Sequence, residues 1–184
     1  SYQDVATRVE GLARRGKWST IIAETEALAP TVPRNTLEGC RLHYTRGRAI
    51  YKRNRLRDSM LAFKGLGESC KGLEVDYGAR ALYLTGYAAF RRGEVSASVA
   101  AYAAIPVGYP SSSYADDGYT RAGIGELESG NIEAAQAYWN KGIAEHGDGD
   151  TIPEARWRVA WTSYLAGDVD GAIKAAERLA QVDL

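Results

Sequence analysis

The sequence predicts an all-α fold, a right-handed α-solenoid of about five helical hairpins, from three observations. A turn residue recurs at Gly16, Asn54, Gly93, Gly130 and Gly167, at intervals of 37 to 39 residues. Two residues after each turn stands an apolar residue: Trp18, Leu56, Val95, Ile132 and Val169. Five after it stand Ile21, Ser59, Ser98, Ala135 and Ala172, small in four of the five cases. Seven residues before the last four turns lies Gly47, Gly86, Gly123 or Ala160, followed at helical spacing by Tyr51, Phe90, Leu127 or Tyr164. A fixed period of this length marks a stacked array of one supersecondary unit. A small residue beside a large apolar one lets a neighbouring helix approach closely and then fills the space next to it.

Helices are expected in order over 2–15 and 17–29 for the first hairpin, with Pro30 and Pro33 breaking the chain after it. The second hairpin takes 35–53 and 55–70, where Met60 and Phe63 keep helical spacing; the third takes 77–92 and 94–107, with Val99 and Tyr102 in the same relation. Pro110 separates the third from the fourth, expected over 113–129 and 131–146, where Ser113-Tyr-Ala-Asp116 reads as a start signal and Ala135 and Trp139 continue the stripe. Segment 146–151, His-Gly-Asp-Gly-Asp-Thr, is a connector. The fifth hairpin, 152–166 and 168–182, opens on Thr151-Ile-Pro-Glu154, a capping box with proline inside the first turn. No stretch sustains the period-two alternation of a strand. Residues 1–184 read as one domain, because no Ser/Gly- or Pro-rich linker divides them. They are expected to be a segment of a longer protein, because the chain stops straight after a helix without the polar capping element of a repeat array.

The formal net charge is zero but unevenly placed: residues 1–92 carry 17 Lys/Arg against 9 Asp/Glu, and residues 93–184 carry 6 against 14. Arg41, Arg46, Arg48, Lys52, Arg53, Arg55 and Arg57 follow one another with no acid between them. This run is either an anion-binding surface or a solvated helix and turn. Nucleic acid is not expected as a partner, since the whole chain is not basic and no binding motif occurs. No apolar run approaches the roughly 20 residues that span a bilayer. Cys40 and Cys70, the two cysteines, fall at the same end of the second hairpin; they form a disulfide in an oxidising compartment or remain two buried thiols in the cytosol.

Chemistry is sparse. His43 and His146 have no partner at metal-ligand spacing, and Asp148 and Asp150 lack the remaining ligands of a calcium loop. Asp116 and Asp117 are explained by the dipole of the helix they open. There is no phosphate-binding glycine loop, nucleophile elbow or Cys/His dyad. No catalytic residue, metal site or cofactor is therefore assigned, and residues 1–184 are not expected to be an enzyme. Twelve Tyr and four Trp against two Phe favour rings with a polar handle. Trp139, Trp157, Trp161 and Tyr164 are expected to pack between hairpins; the alternative is that some line a groove and stack on sugar rings or peptide side chains.

The small–large helix, short turn and small residue beyond it resemble the tetratricopeptide repeat, at a period longer than that repeat's usual 34 residues. A narrower likeness covers the second half. Tyr109-Pro-Ser-Ser-Ser-Tyr-Ala-Asp-Asp117, Ser129-Gly-Asn-Ile-Glu-Ala-Ala135, Glu154-Ala-Arg-Trp-Arg-Val-Ala-Trp161 and Tyr164-Leu-Ala-Gly-Asp168 are similar to the superhelical region of soluble lytic murein transglycosylases. That family's Gly-Leu-Met-Gln signature does not occur here, so the resemblance implies the scaffold of such an enzyme rather than its catalytic domain. It implies a periplasmic or cell-envelope location (cytoplasmic if the cysteines are free) and a groove that positions a peptidoglycan strand and a C-terminal catalytic domain. The other reading is a free-standing periplasmic or outer-membrane-associated scaffold for protein partners, whose assembly lipoproteins carry similar Tyr-Pro-x-Ser-x-Tyr-Ala connectors. Carrying over the repeat's concave-face positions relative to each small residue selects Arg41, Tyr44, Arg48 and Lys52, then Arg80, Tyr83, Tyr87 and Arg91. Further along it selects Asp117, Thr120, Ile124 and Glu128, then Glu154, Trp157, Trp161 and Leu165. The candidate groove residues are the eight basic and tyrosine positions together with Trp157 and Trp161.

Overall fold

Every one of the five recurring turn residues holds a left-handed backbone: φ is +66° at Gly16, +59° at Asn54, +74° at Gly93, +80° at Gly130 and +82° at Gly167. Only glycine takes this conformation without a steric cost, and asparagine tolerates it better than most residues, which is why the period carries these two types. The turn also closes the helix before it. In each case the amide two residues before the conserved apolar position reaches back three residues, as from Gly93 to the Phe90 carbonyl. The next amide reaches back five, as from Glu94 to the Ala89 carbonyl. Both orphan carbonyls of the last turn are thereby satisfied, and the chain reverses in two residues.

The computed structural model describes residues 1–180. Among them run eleven α-helices: α1 (Tyr2–Arg14), α2 (Trp18–Glu26), α3 (Leu37–Lys52), α4 (Leu56–Phe63), α5 (Leu66–Ser69), α6 (Tyr77–Arg91), α7 (Val95–Gly108), α8 (Ala115–Glu128), α9 (Ile132–Glu145), α10 (Ile152–Leu165) and α11 (Val169–Ala180). No strand occurs among the described residues. The hairpins α1–α2, α3–α4, α6–α7, α8–α9 and α10–α11 follow the predicted register. The end of the last expected helix, residues 181–182, lies outside the described residues.

Three expectations need correction. The single helix expected over 55–70 is broken at Lys64–Gly65, where Gly65 takes φ +82°, and resumes as α5. The break lets Leu66 and Cys70 turn back into the core beside Tyr77 and Ala81. Thr151 does not cap α10: its hydroxyl and its amide both bond the Asp116 carboxylate on α8, at 2.8 and 3.1 Å. Nor does Ser113 cap α8, which starts at Ala115 after Tyr114; the Ser112 hydroxyl accepts from the Tyr114 amide instead.

Within three hairpins, the small residue seven before the turn meets an aromatic ring nine after it. A Cβ at Gly47 would overlap Phe63, one at Gly86 would overlap Tyr102, and one at Gly123 would overlap Trp139. The glycine is thus what lets the ring lie between the two helices, and Trp139 completes its seat by donating Nε1–H to the Thr120 carbonyl at 3.0 Å. Between hairpins, each core patch joins one hairpin to the first helix of the next. Val9 and Ile21 meet Ala49; Phe63 meets Tyr77 and Ala81; Val99, Tyr102 and Ile105 meet Ala122; Ala135 and Trp139 meet Ala155. This relay of buried apolar contacts is what makes the array one stack. Cys40 and Cys70 are bonded as a disulfide, Cα to Cα 6.0 Å, tying the start of α3 to the residue after α5.

Candidate functional site

Stacking places α3 and α6 side by side, and their matching positions converge. Tyr44, Arg48 and Lys52 from α3, Arg80 and Tyr83 from α6, and Tyr51 and Tyr114 line one cleft of about 320 Å3. A second cleft of about 410 Å3 continues from it toward the first hairpin. It shares Tyr44, Arg48, Lys52 and Arg80 and adds Trp18 and Tyr77. Five of the ten groove positions selected from the sequence therefore form a continuous surface.

The tyrosines are held by one another. Tyr44 tilts against Tyr77 at 5.4 Å and Phe63 at 6.1 Å; Tyr83 lies 5.1 Å from Tyr114 and edge-on to Tyr102 at 5.7 Å. Burial pushes the Tyr44 and Tyr83 phenols up from their ordinary range, with Arg48 and Arg121 respectively opposing it. Both rings are therefore neutral at physiological pH and present a face plus a hydroxyl. The cations divide by partner. Arg80 bonds Asp76 at 2.9 Å, and Arg41 donates to the Tyr77 hydroxyl at 3.2 Å while pairing with Glu10 at 3.7 Å. Arg48 lies over the Trp18 ring at 5.6 Å. Glu10, which lines the second cleft, pairs with Arg14 at 3.6 Å as well as with Arg41; with Arg80 paired to Asp76, Arg48 and Lys52 are the cleft cations that make no ion pair among the described residues.

The other selected residues lie elsewhere. Arg41 is diverted to Tyr77 and Glu10. Tyr87 packs edge-on to Tyr51 at 6.2 Å, and Arg91 reaches back to Asn54 Oδ1 at 3.2 Å, so both serve the turn end of the hairpins. Trp157 and Trp161 belong to a separate apolar pocket of about 510 Å3 on the last hairpin, with Tyr164, Val169 and Ile173. They do not pack between hairpins as expected. Trp157 is 50% exposed, Trp161 46% and Tyr164 58%, whereas Trp139 is fully buried. Trp157 and Trp161 stack nearly parallel, ring centres 6.2 Å apart.

Asp116 and Asp117 of the first turn of α8 and Asp150 of the connector gather with carboxylate oxygens within 4.8 Å of one another, so the three acids form one cluster rather than a helix-dipole pair and a separate connector residue. Asp116 is a tether as well as a first-turn acid. Burial pushes its carboxyl up, but hydrogen bonds, foremost those from the Thr151 amide and hydroxyl, together hold it below the ordinary value. Asp117 is pushed up to about 6 by burial and by its two acidic neighbours, against the opposing charge of Arg121 at 3.4 Å. Thr151 and Asp116 are 35 residues apart in the chain, and no local motif announces their contact.

Comparison with known proteins agrees with this architecture. A family model described as tetratricopeptide repeat matches residues 72–113 and 120–183. Among solved structures, a crystal structure of MamA superposes with a TM-score of 0.71 at 17% identity, covering 94% of this chain and 92% of that one. A tetratricopeptide repeat protein from Parabacteroides merdae gives 0.70 at 14% identity, covering 97% and 65%. A putative kinesin light chain from Podosopora anserina, with nearly identical repeats, gives 0.63 at 10% identity, covering 97% and 92%. No curated protein matches the sequence. At these identities the structural matches establish the fold, and the family match covers more than half of the chain: it belongs to the tetratricopeptide repeat family.

Proposed function

We propose that this helical-repeat scaffold uses the cleft between α3 and α6 to hold an anionic segment of a partner, with Arg48 and Lys52 supplying charge and Tyr44, Tyr83 and Tyr114 supplying ring faces. One observation carries the reading: unpaired cations and a mutually braced tyrosine cluster from successive hairpins share one continuous cleft. Guanidinium forks suit carboxylates through paired hydrogen bonds, and tyrosine rings stack on apolar sugar faces or peptide side chains. Carboxylate-bearing stem peptides on a glycan strand offer both. With the likeness of residues 109–168 to the superhelical region of lytic murein transglycosylases, this supports peptidoglycan as the ligand. The chain would then be the non-catalytic scaffold of a periplasmic lytic transglycosylase, holding the strand for a C-terminal catalytic domain. The bonded Cys40 and Cys70 support an oxidising compartment. A free-standing envelope scaffold that grips an acidic peptide is the second reading, favoured by the family's use of concave surfaces for binding.

Sedimentation with purified peptidoglycan sacculi tests the first reading. Wild type should co-sediment at low salt and less so as ionic strength rises, and Arg48→Glu/Lys52→Glu should stay in the supernatant. Undiminished pull-down by the double variant would remove the cleft as the site. Binding of an acidic peptide by wild type but not by the double variant, with no sedimentation of wild type on sacculi, would transfer the function to the second reading.

A further inference from the structure

Helix α3 carries cations on two opposite sides. At about 100° per residue, Tyr44, Arg48 and Lys52 face the cleft described above, while His43, Arg46 and Ile50 face away from it. The second side opens onto another cavity, of about 410 Å3, between the first and second hairpins. It is lined by Arg34, Arg46, Arg55, Glu26, Asp58 and Leu61 among others.

The three arginines there are not equally satisfied. Arg34 donates Nη1–H to the Lys64 carbonyl at 2.6 Å, and its own carbonyl oxygen lies 2.9 Å from Cys40 Sγ, so this segment is pinned beside the disulfide. Arg55 pairs with Asp58 at 2.8 Å. Arg46 lines the same cavity, is half-buried, and makes no hydrogen bond or ion pair among the described residues. Arg46 is therefore the guanidinium of the cavity that is left without an acceptor, and a bound anion would supply one. His43 adds no competing acid. Its Nε2–H donates to the Val32 carbonyl at 3.1 Å, and burial, helped by Arg34 and Arg46, keeps the ring below its ordinary pKa and neutral.

We propose that this cavity is an oxyanion site for a phosphate group, with Arg46 as its central donor and Arg34 and Arg55 flanking it. A planar carboxylate is satisfied by a single guanidinium fork, whereas a tetrahedral phosphate has enough acceptor oxygens for three donors arriving from different elements. Pro30 and Leu61 add apolar lining to the same cavity, suited to the organic part of a phosphate monoester. Glu26 is the carboxylate in the cavity that opposes the anion, since Asp58 is already paired with Arg55. The site is independent of the peptidoglycan reading because it uses none of the cleft residues.

Isothermal titration calorimetry of the 184-residue protein at low ionic strength and near-neutral pH tests it, with inorganic phosphate, glycerol 3-phosphate and acetate as probes. Phosphate should bind saturably at one site, and acetate should not. Tighter binding of glycerol 3-phosphate would assign the apolar wall to a monoester, while equal binding would assign the site to the phosphate group alone. Arg46→Gln should weaken phosphate by about tenfold or more, as loss of a charged hydrogen bond implies. Arg46→Lys, which keeps charge but not the fork, should fall between. Glu26→Gln should tighten binding, and Arg48→Glu should leave it unchanged; melting by circular dichroism verifies that each variant is folded. Absence of saturation with phosphate, equal binding of acetate, wild-type affinity in folded Arg46→Gln, or loss through Arg48→Glu would each overturn the proposal.

Discussion

The fourth and fifth hairpins share one register and treat their aromatic residues in opposite ways. In the fourth, Gly123 clears the space in which Trp139 lies, and the ring is sealed when Ala155 of α10 closes over it. In the fifth, the corresponding pair is Ala160 and Ala176. No ring enters between the helices, and the aromatics sit instead on α10 as the exposed Trp157, Trp161 and Tyr164. The residues that receive α10 in the fourth hairpin, Ile124 and Leu127, correspond to Trp161 and Tyr164. Trp139 is thus buried because a glycine seven before the turn makes room for its ring and the following helix covers it, whereas Trp157 and Trp161 lie on the first helix of their hairpin and have no such seat.

That contrast breaks most visibly by truncation. Trp139→Ala removes a fully buried ring and its hydrogen bond and should lower stability by about 3–5 kcal/mol. Trp161→Ala removes a ring half in water and should change stability by about 0.5 kcal/mol or less. Urea unfolding of the two variants against wild type measures both. Similar losses would mean that the two hairpins bury their aromatics alike.

The contrast sharpens at the joint between the two hairpins, where Asp117 sits beside the Asp116–Thr151 tether. Its carboxyl titrates near pH 6 in the folded protein and near 3.8 when unfolded. The folded state therefore binds the extra proton between those values, and this group's contribution falls as pH rises from about 4 to 6. Asp117→Asn should remove that fall and raise stability at neutral pH, by on the order of 1–3 kcal/mol from the size of the shift, less what Arg121 loses. Thermal melts between pH 4 and 7 decide it; an unchanged pH slope in the variant would contradict the assignment.

The all-helical hairpin array was legible because its cause is local. A left-handed turn needs Gly or Asn, and a ring between two helices needs a glycine opposite, so both constraints leave single-residue marks at fixed spacing. The middle of the cleft was legible for the same reason: Tyr44 and Tyr83, like Arg48 and Lys52, inherit their placement from register. What escaped depended on contacts distant in sequence. Arg41 and Arg91 occupy suitable register positions but are taken by Tyr77 and Asn54. Thr151 carries every mark of a cap and is claimed by a carboxylate on another hairpin. Gly65 breaks a helix whose apolar spacing continues on both sides of it. Trp157 and Trp161 form the same stripe that a packed helix would show; only the alanine at position 176, where inner hairpins place a ring, distinguishes them.

The cleft and the apolar end of the last hairpin differ in what they offer a partner, and binding of the anionic segment belongs to the cleft. Hydrogen–deuterium exchange on adding soluble glycan fragments that bear stem peptides tests this most directly. Exchange should slow in peptides covering residues 44–52 and 80–87, reversed by salt, with residues 157–164 unchanged. Protection confined to residues 157–164, insensitive to salt, would contradict it.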